Sequence, residues 1–169
     1  PGGRDRRRAE LEKLVQIYGE VRGEFAAKSE ENEREVPIFI SGDFNGVIRG
    51  TGEDPEFERI RESDLKCCLD IACVAPDERF TWMHLHNKRP GHFRQLDYIL
   101  VPEFLKHRVN GNETWVYRFK DESGTHRTIP RNQNEKRTLP SDHYPVVLTL
   151  NAEAGASIHS PAVVKPKPE

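Results

Sequence analysis

Three short polar motifs of the chain each adjoin a predicted β-strand. They are Gly-Asp-Phe-Asn at residues 42–45, Leu-Asp-Tyr-Ile at 96–99 and Ser-Asp-His-Tyr-Pro at 141–145. A carboxylate or carboxamide held at the end of a rigid strand can bind a metal ion, orient a water molecule or contact an anionic ligand. Alone, the first motif is also typical of an ordinary polar turn, and each of the other two is a weak signal. Catalytic chemistry therefore requires the fold to bring the three together.

The first motif follows an apolar segment that is predicted to be a short strand over residues 36–41. Ile38 and Ile40 share one face of such a strand and Phe39 takes the other, which predicts burial on both faces. Glycines on either side of the polar residues allow the loop to turn tightly and to approach a ligand.

The second motif places a carboxylate on an apolar strand face. Residues 96–101 are predicted to form a strand, and alternation puts Asp97 on one face with Phe93, Ile99 and Val101. A buried ionised carboxylate costs several kcal/mol unless a donor pairs with it. Either this register is wrong, or Asp97 is paired with an Arg or a His.

Apolar periodicity and turn residues predict the elements that must position these motifs. A helix over residues 4–27 carries an apolar stripe at spacings of three and four, made of Leu11, Leu14, Val15, Tyr18, Val21 and Phe25. A solvated connector at 28–35 is expected to follow. Further predictions are a short charged helix at 56–66, strands at 80–84, 115–117 and 146–150, and a long surface loop at 120–138.

One segment combines basic residues with aromatic ones and could meet an anionic substrate. It runs from residue 84 to residue 94 and contains His84, His86, Lys88, Arg89, His92, Phe93 and Arg94. Pro90 and Gly91 predict a turn, so the segment is expected to be a hairpin connection. Its histidines do not follow a zinc-binding spacing, which disfavours a metal site there.

Composition limits the function classes. With 169 residues the chain can form one domain with a hydrophobic core, and its net charge of −2 does not demand a polyanionic partner. No apolar run approaches the ~20 residues of a membrane span. No secretory signal is visible, although the sequence does not begin with Met. Cys67, Cys68 and Cys73 lack a disulfide or metal pattern and are predicted to be small core residues, which favours a cytoplasmic or nuclear location.

Together, in this order, the three motifs resemble the C-terminal half of the endonuclease/exonuclease/phosphatase superfamily, the DNase I-like proteins. Gly-Asp-Phe-Asn after an apolar strand and Ser-Asp-His-Tyr-Pro-Val before one are the most specific features, and Thr81-Trp82 and residues 94–98 also match. The resemblance extends from the N-terminal helix to about residue 150. It implies an α+β fold, half of a four-layer α/β/β/α sandwich, with a mostly antiparallel sheet and flanking helices.

The same resemblance divides the chain. Residues 1–150 would be the C-terminal portion of the domain, and residues 151–169, which are rich in Pro, Ala and Lys, would be a flexible tail or linker. The N-terminal half of the domain, with its metal-binding Glu, is expected in the same chain or an associated one. The isolated 169-residue chain is expected to be inactive or unstable unless that half is supplied.

The resemblance also implies a chemistry, hydrolysis of a phosphodiester by water with the help of Mg²⁺ or Mn²⁺. His143 would contact the scissile phosphate as a donor or acid–base group, and Asp97 would fix its tautomer. Asp43 would orient or deprotonate the attacking water and reach the metal ion. Asp142 would be a further metal ligand or lie next to one.

The same resemblance implies that the substrate is bound by Asn45, Arg94 and His143. Asn45 would contact a phosphate oxygen. Nucleic acid, DNA or RNA, is the favoured substrate because of the basic segment at 84–94. One alternative is a lipid or inositol-phosphate phosphatase of the same superfamily. Another is a non-catalytic scaffold or binding module that has kept the fold, although retention of the whole polar set argues against it.

Overall fold

The structure, a computed structural model, describes residues 3–28, 36–50, 52–85 and 91–152. Most of the predicted connector at 28–35, the hairpin turn at 86–90 and the tail from residue 153 onward lie outside the described residues. The helices are α1 (Gly3–Lys28), α2 (Glu58–Glu62), α3 (Cys68–Ile71) and α4 (Gln133–Lys136). The strands are β1 (Ile40–Asp43), β2 (Leu65–Cys67), β3 (Trp82–His84), β4 (His92–Arg94), β5 (Asp97–Pro102), β6 (Trp115–Val116) and β7 (Val146–Val147).

The described strands form three antiparallel sheets. The largest has the order β1-β5-β2, with Ile40 opposite Leu100 and Asp43 opposite Asp97. Strands β3 and β4 form a second sheet, and β6 and β7 form a third. The fold is therefore mixed α and β with antiparallel pairing throughout these sheets, which agrees with the predicted α+β class.

Strand β5 and helix α1 supply much of the core. On β5, Tyr98, Leu100 and Val101 are buried, because this strand lies between two others and its apolar side chains face the packed interior. Helix α1 covers the predicted residues 4–27 almost to the residue. The stripe is only partly buried, since Leu11 and Tyr18 are in the core and Phe25 is 52% exposed.

Two ion pairs fasten α1 to the segments that follow β1. Near its start, Arg7 Nη1 lies 2.9 Å from Oε1 of the buried Glu56. Near its end, Arg22 Nη1 lies 2.5 Å from Asp64 Oδ2, and the Tyr18 hydroxyl donates to the same oxygen at 3.2 Å. Burial raises the pKa of Tyr18 to about 12, and the Asp64 carboxylate acts in the same direction.

The prediction that the first strand is buried on both faces is wrong. Strand β1 begins at Ile40, later than predicted, and its residues from Ser41 to Asp43 are exposed. Phe39 is 39% exposed. The physical reason is position, because β1 is the edge strand of its sheet among the described residues and pairs there only with β5.

The predicted register around Asp97 is also only partly correct. Phe93 belongs to β4, so it does not continue the face of Asp97 and Ile99 on β5. That face is half-buried rather than fully apolar, whereas Tyr98 and Leu100 face the core. The predicted loop at 120–138 contains α4, and the predicted strand at 146–150 is reduced to β7.

Cys67 and Cys68 are buried, as predicted, whereas the same prediction is wrong for Cys73, which is exposed. Among the described residues, none of the helices combines the length and the apolar character that crossing a bilayer would require.

Candidate active site

Asp43, Asp97 and His143 come together at one end of the β1-β5 pair. Each contributes one carboxylate oxygen or ring nitrogen to a group whose atoms all lie within 4.8 Å of one another. The antiparallel register explains two of the three, because Asp43 and Asp97 are directly opposite across β1 and β5. Residues far apart in the sequence thus lie close together in the fold. The three motifs by themselves did not determine whether they would.

His143 and Asp97 form a direct pair. The distance from His143 Nδ1 to Asp97 Oδ2 is 2.8 Å, and both side chains are about a quarter to a third exposed, at 31% and 23%. An ionised carboxylate only accepts hydrogen bonds, so the pairing places a proton on Nδ1. The other ring nitrogen, Nε2, is then the one that can act on a ligand.

Thr81 fixes the position of Asp97. Its side-chain Oγ1 accepts hydrogen bonds from the backbone N–H groups of Leu96 and Asp97, both at 2.9 Å. Its carbonyl accepts from Tyr144 N at 2.7 Å, so one fully buried residue holds the strand of Asp97 and the segment of His143. Sequence reasoning assigned no role to Thr81, since no local pattern shows that a threonine will meet two later backbone N–H groups.

Arg118 packs against the rings of Phe80 and Tyr144, which adjoin Thr81 and His143 in the sequence. Its guanidinium carbon lies 3.9 Å from the Phe80 ring centroid and 4.5 Å from that of Tyr144. Its two terminal nitrogens donate to the carbonyls of Phe80 and Glu78, each at 2.9 Å. Burial lowers the pKa of Arg118 and raises that of Tyr144. The neighbours of Thr81 and His143 in the sequence are therefore both packed against one cation.

The loop after β1 holds Asp43 and Asn45 in a tight turn. Asn45 N donates to Asp43 Oδ1 at 2.8 Å, and Asn45 has a φ of 51°, a left-handed conformation that asparagine tolerates better than most residues. Phe44 N donates to Leu96 O at 2.8 Å, which ties the loop to the start of β5. Gly46 is required because an added Cβ would lie 2.4 Å from the Phe57 ring.

Both polar side chains of this loop are exposed and border a cavity of about 410 Å³ between β1 and the first turns of α1. The Asp43 oxygen that does not bind Asn45 is accordingly open to a ligand. The Asn45 carboxamide is on the same turn, although it does not belong to the three-residue group.

Asp142 lies outside the three-residue group. Its Oδ2 is 3.2 Å from Lys136 Nζ, and its side chain is 52% exposed. Lys136 also donates to Met83 O at 2.6 Å and lies 5.8 Å from the Trp82 ring centroid. The fold thus gives Asp142 a cationic partner from α4, a residue that the sequence placed in a featureless loop. Its predicted metal role stays a prediction.

Arg94 and His143 both pair with Trp82, one on each side of β3. Trp82 is opposite Arg94 across β3 and β4, and it also forms an antiparallel bridge with His143. Residues directly opposite in antiparallel pairs point to one face, so Arg94, Trp82 and His143 form a row. The His84 ring stacks on Trp82 with 5.7 Å between centroids, which extends this row with a further titratable group.

The pair Asp97–His143 with Asp43 beside it can hold a proton in a defined place and can offer an open carboxylate oxygen to a ligand. Comparison of the chain with protein-family models, with curated proteins and with solved structures finds no match in any of the three.

Proposed function

We propose that the chain carries the catalytic residues of a divalent-metal-dependent phosphoesterase that hydrolyses phosphodiesters, with nucleic acid as the substrate. The observation that carries this proposal is the convergence of Asp43, Asp97 and His143 within 4.8 Å, with His143 Nδ1 bound to Asp97. Acid–base groups, a fixed imidazole tautomer and an open carboxylate are the parts that attack of water on a phosphate ester requires.

In this mechanism His143 acts at the phosphate through Nε2. Asp97 keeps the proton on Nδ1 and stabilises the imidazolium when His143 is charged. A protonated Nε2 donates to a phosphate oxygen, whereas a neutral one can accept the proton that the attacking water loses. Thr81 and Arg118 keep the pair in place, so little reorganisation is needed when charge develops on the substrate.

Asp43 has the position of the group that orients the attacking water. Its carboxylate is exposed, it lies beside His143, and Asn45 N holds one of its oxygens. The exposed Asn45 carboxamide can donate to a phosphate oxygen from the same turn. An ionised Asp43 next to His143 can also accept the proton that the water loses.

The residues fit a hard divalent cation. Asp43 and Asp97 are two carboxylates directly opposite each other on paired strands, an arrangement that is destabilising unless positive charge lies between or beside them. Mg²⁺ and Mn²⁺ prefer oxygen ligands, and Mg²⁺ commonly binds one or two carboxylates together with substrate phosphate and water. Asp43 would hold the ion, whereas Asp142 lies outside the three-residue group with its Oδ2 at 3.2 Å from Lys136 Nζ. A bound ion would offset phosphate charge and polarise the ester.

The finer fold, half of an α/β/β/α sandwich, is part of the same proposal. It is supported by apolar side chains that remain exposed on α1 and before β1, namely Ile17 at 44%, Phe25 at 52% and Phe39 at 39%. Where exposed apolar side chains form one contiguous patch, they commonly mark a surface that packs against a further element. The N-terminal half of the sandwich, in the same or an associated chain, is the partner that we propose.

The test uses the full-length product of the gene with Mg²⁺ or with EDTA. Separate reactions contain single-stranded DNA, duplex DNA, RNA, sphingomyelin or an inositol polyphosphate, and the His143→Ala variant is assayed in parallel. We expect Mg²⁺-dependent cleavage of nucleic acid that is lost in the variant. Cleavage of only the lipid or the inositol phosphate would replace the proposed substrate, and absence of turnover with every substrate would favour the scaffold alternative.

A further inference from the structure

A second cavity, of about 690 Å³, is lined by residues of β4 and of the segment that precedes β3. Its lining combines aromatic and aliphatic side chains with guanidinium groups. The residues that matter for its chemistry are Phe80, Phe93, Ile129, Arg49, Arg79 and Arg94. This cavity is distinct from the three-residue group, because Asp43, Asp97 and His143 do not line it.

The cavity nevertheless adjoins the candidate active site through two chain segments. Val47, which lines it, follows Asn45 by two residues, and Gln95, which also lines it, precedes Asp97 by two. Arg94 lines the cavity and also belongs to the row with Trp82 and His143, whereas Phe93 takes the other face of β4, so Arg94 is the lining residue that connects the two sites. The lining of this cavity is therefore continuous along the chain with the segments that carry Asp43, Asn45 and Asp97.

The apolar part of the cavity is open to a flat ring. Phe93 and Ile129 are 45% and 44% exposed, although both are large apolar side chains. Phe93 packs edge-to-face on the buried Phe80, with 4.9 Å between ring centroids. The Arg118 guanidinium in turn packs on the Phe80 ring. Phe93 is thus an exposed aromatic ring on a rigid base, which is the form of a stacking platform.

The charged part of the cavity favours an anion. Arg79 is engaged by Asp70 and by the Val74 carbonyl, so it is largely neutralised. Arg49 donates to the Arg61 carbonyl and has no ion pair with a described residue, and none of the described residues forms an ion pair or hydrogen bond with the Arg94 side chain. Among the described residues that line the cavity, Asp77 is the one acidic residue beside these cations.

We propose that this cavity binds a nucleotide next to the scissile phosphate of a single-stranded nucleic acid, with its base on Phe93 and its phosphate at Arg49 and Arg94. This inference rests on the proposed function and specifies its substrate. A single strand is favoured because its bases are free to stack on a side chain, whereas duplex bases are stacked on one another. Inositol phosphates are densely charged and have no aromatic face for Phe93.

The first experiment measures binding without catalysis. A fluorescein-labelled single-stranded octanucleotide is titrated with the full-length protein in EDTA, and anisotropy gives Kd for the parent, Phe93→Leu, Arg49→Gln and Trp115→Leu. Trp115 is a matched control, since it is an aromatic residue 44% exposed and does not line the cavity. We expect Phe93→Leu to raise Kd by roughly 5- to 100-fold. We expect Arg49→Gln to raise it less and to flatten its salt dependence, and Trp115→Leu to leave it unchanged.

Several results would overturn the assignment. They are equal Kd values for the parent and both cavity variants, binding of a duplex as tight as that of the single strand, and a loss in Trp115→Leu as large as that in Phe93→Leu. Competition with inositol hexakisphosphate gives a further arm, because its tight binding by the parent and equally by Phe93→Leu would contradict a stacking site. If Phe93→Leu changes the thermal melting temperature, its Kd is set aside. The Kd of Arg49→Gln, which changes an exposed side chain, then decides the test alone.

A second assay separates failure of this inference from failure of the proposed function. An oligonucleotide of abasic tetrahydrofuran nucleotides, the abasic diester, keeps the phosphodiester bonds and has no ring that could stack on Phe93. Two results together would support the inference. The first is Mg²⁺-dependent hydrolysis of the abasic diester. The second is that Phe93→Leu reduces kcat/KM for the base-bearing oligonucleotide at least roughly 5-fold more than kcat/KM for the abasic diester. Equal reductions for both substrates would overturn the cavity alone. Absence of diester hydrolysis would overturn the proposed function, and with it the placement of the nucleotide beside a scissile phosphate.

Discussion

The two sides of the candidate site are held in different ways. Asp97 and His143, which we call the paired half, bind each other at 2.8 Å and are anchored through the buried Thr81. Asp43 and Asn45, the open half, lie on an exposed edge of the sheet, and among the described residues the Asp43 side chain bonds only to the backbone of its own turn. The side chains of the paired half are fixed by contacts between distant parts of the chain, whereas the Asp43 side chain is held by a local turn at the end of a strand that pairs with β5.

This difference matches the tasks that we propose for the two halves. A proton donor or acceptor works best when its tautomer and orientation are set before the substrate arrives, and long-range contacts provide that. A carboxylate that binds a metal ion or a water molecule must keep lone pairs unused. The exposed Asp43 keeps its lone pairs available for such a ligand. Contacts like those within the paired half would have occupied these lone pairs.

The largest effect is expected within the paired half. His143→Ala should lower kcat/KM for phosphodiester hydrolysis on the order of 10²–10⁴-fold, because it removes an acid–base group. Asp97→Asn should cause a large part of that loss by itself, since an amide can present its NH₂ to Nδ1 and so favour the wrong tautomer. Both variants and the double variant are compared by steady-state kinetics at saturating Mg²⁺.

The double variant decides whether the two residues act as a unit. If they do, the double variant is hardly slower than His143→Ala, because Asp97 acts only through the imidazole. Losses that multiply in the double variant would show that Asp97 acts on the substrate independently. That outcome would remove the distinction between the two halves.

The next effect concerns metal affinity in the open half. Asp43→Asn should raise the Mg²⁺ concentration for half-maximal rate by at least roughly 10-fold, since it removes the open carboxylate. Asp142→Asn is the matched control, and it should change that concentration much less because Asp142 is engaged by Lys136. The measurement is the rate as a function of Mg²⁺ for each variant. A larger effect at Asp142 than at Asp43 would reverse the assignment.

A smaller effect tests the anchor of the paired half. Thr81→Val keeps the shape of the side chain but leaves the N–H groups of Leu96 and Asp97 without their acceptor, at a cost of about 1–3 kcal/mol in unfolding free energy. Urea unfolding measures this cost. Thr81→Ser restores the oxygen and should recover most of the stability and of kcat. Equal behaviour of the Val and Ser variants would show that the hydroxyl does not anchor Asp97.

The sequence predicted features that depend on local spacing. The apolar stripe of α1 follows helical periodicity, and α1 forms where it was expected. The physical cost of an unpaired buried carboxylate predicted a partner for Asp97, and the structure supplies His143. Both inferences use information that is present within a few residues or in the chemistry of one group.

Features that depend on strand order could not be predicted in this way. An apolar run such as residues 38–40 looks the same in a central strand and in an edge strand, so the exposure of β1 was missed. The contacts of Thr81 and Arg118 join segments whose neighbours are set only by the assembled sheets. Lys136 belongs to a polar loop without periodicity, and only the folded chain shows its contact with Asp142.

The smallest effect on activity is expected far from both halves, at the contact that fastens α1. Tyr18→Phe should leave kcat/KM at pH 7 nearly unchanged, because Tyr18 contacts Asp64 and not the site. Stability at high pH should differ, since the pKa of Tyr18 is raised to about 12 in the folded chain from 10.0. The unfolded chain therefore loses this proton first, and the parent loses stability as pH rises above about 10. Urea unfolding at pH 8 and pH 11 should show the advantage of the parent over Tyr18→Phe shrinking by roughly 1 kcal/mol. Parallel curves for the two proteins would mean that the folded environment does not favour the protonated phenol, and a drop in kcat/KM at pH 7 would mean that the paired half depends on α1 as well as on Thr81.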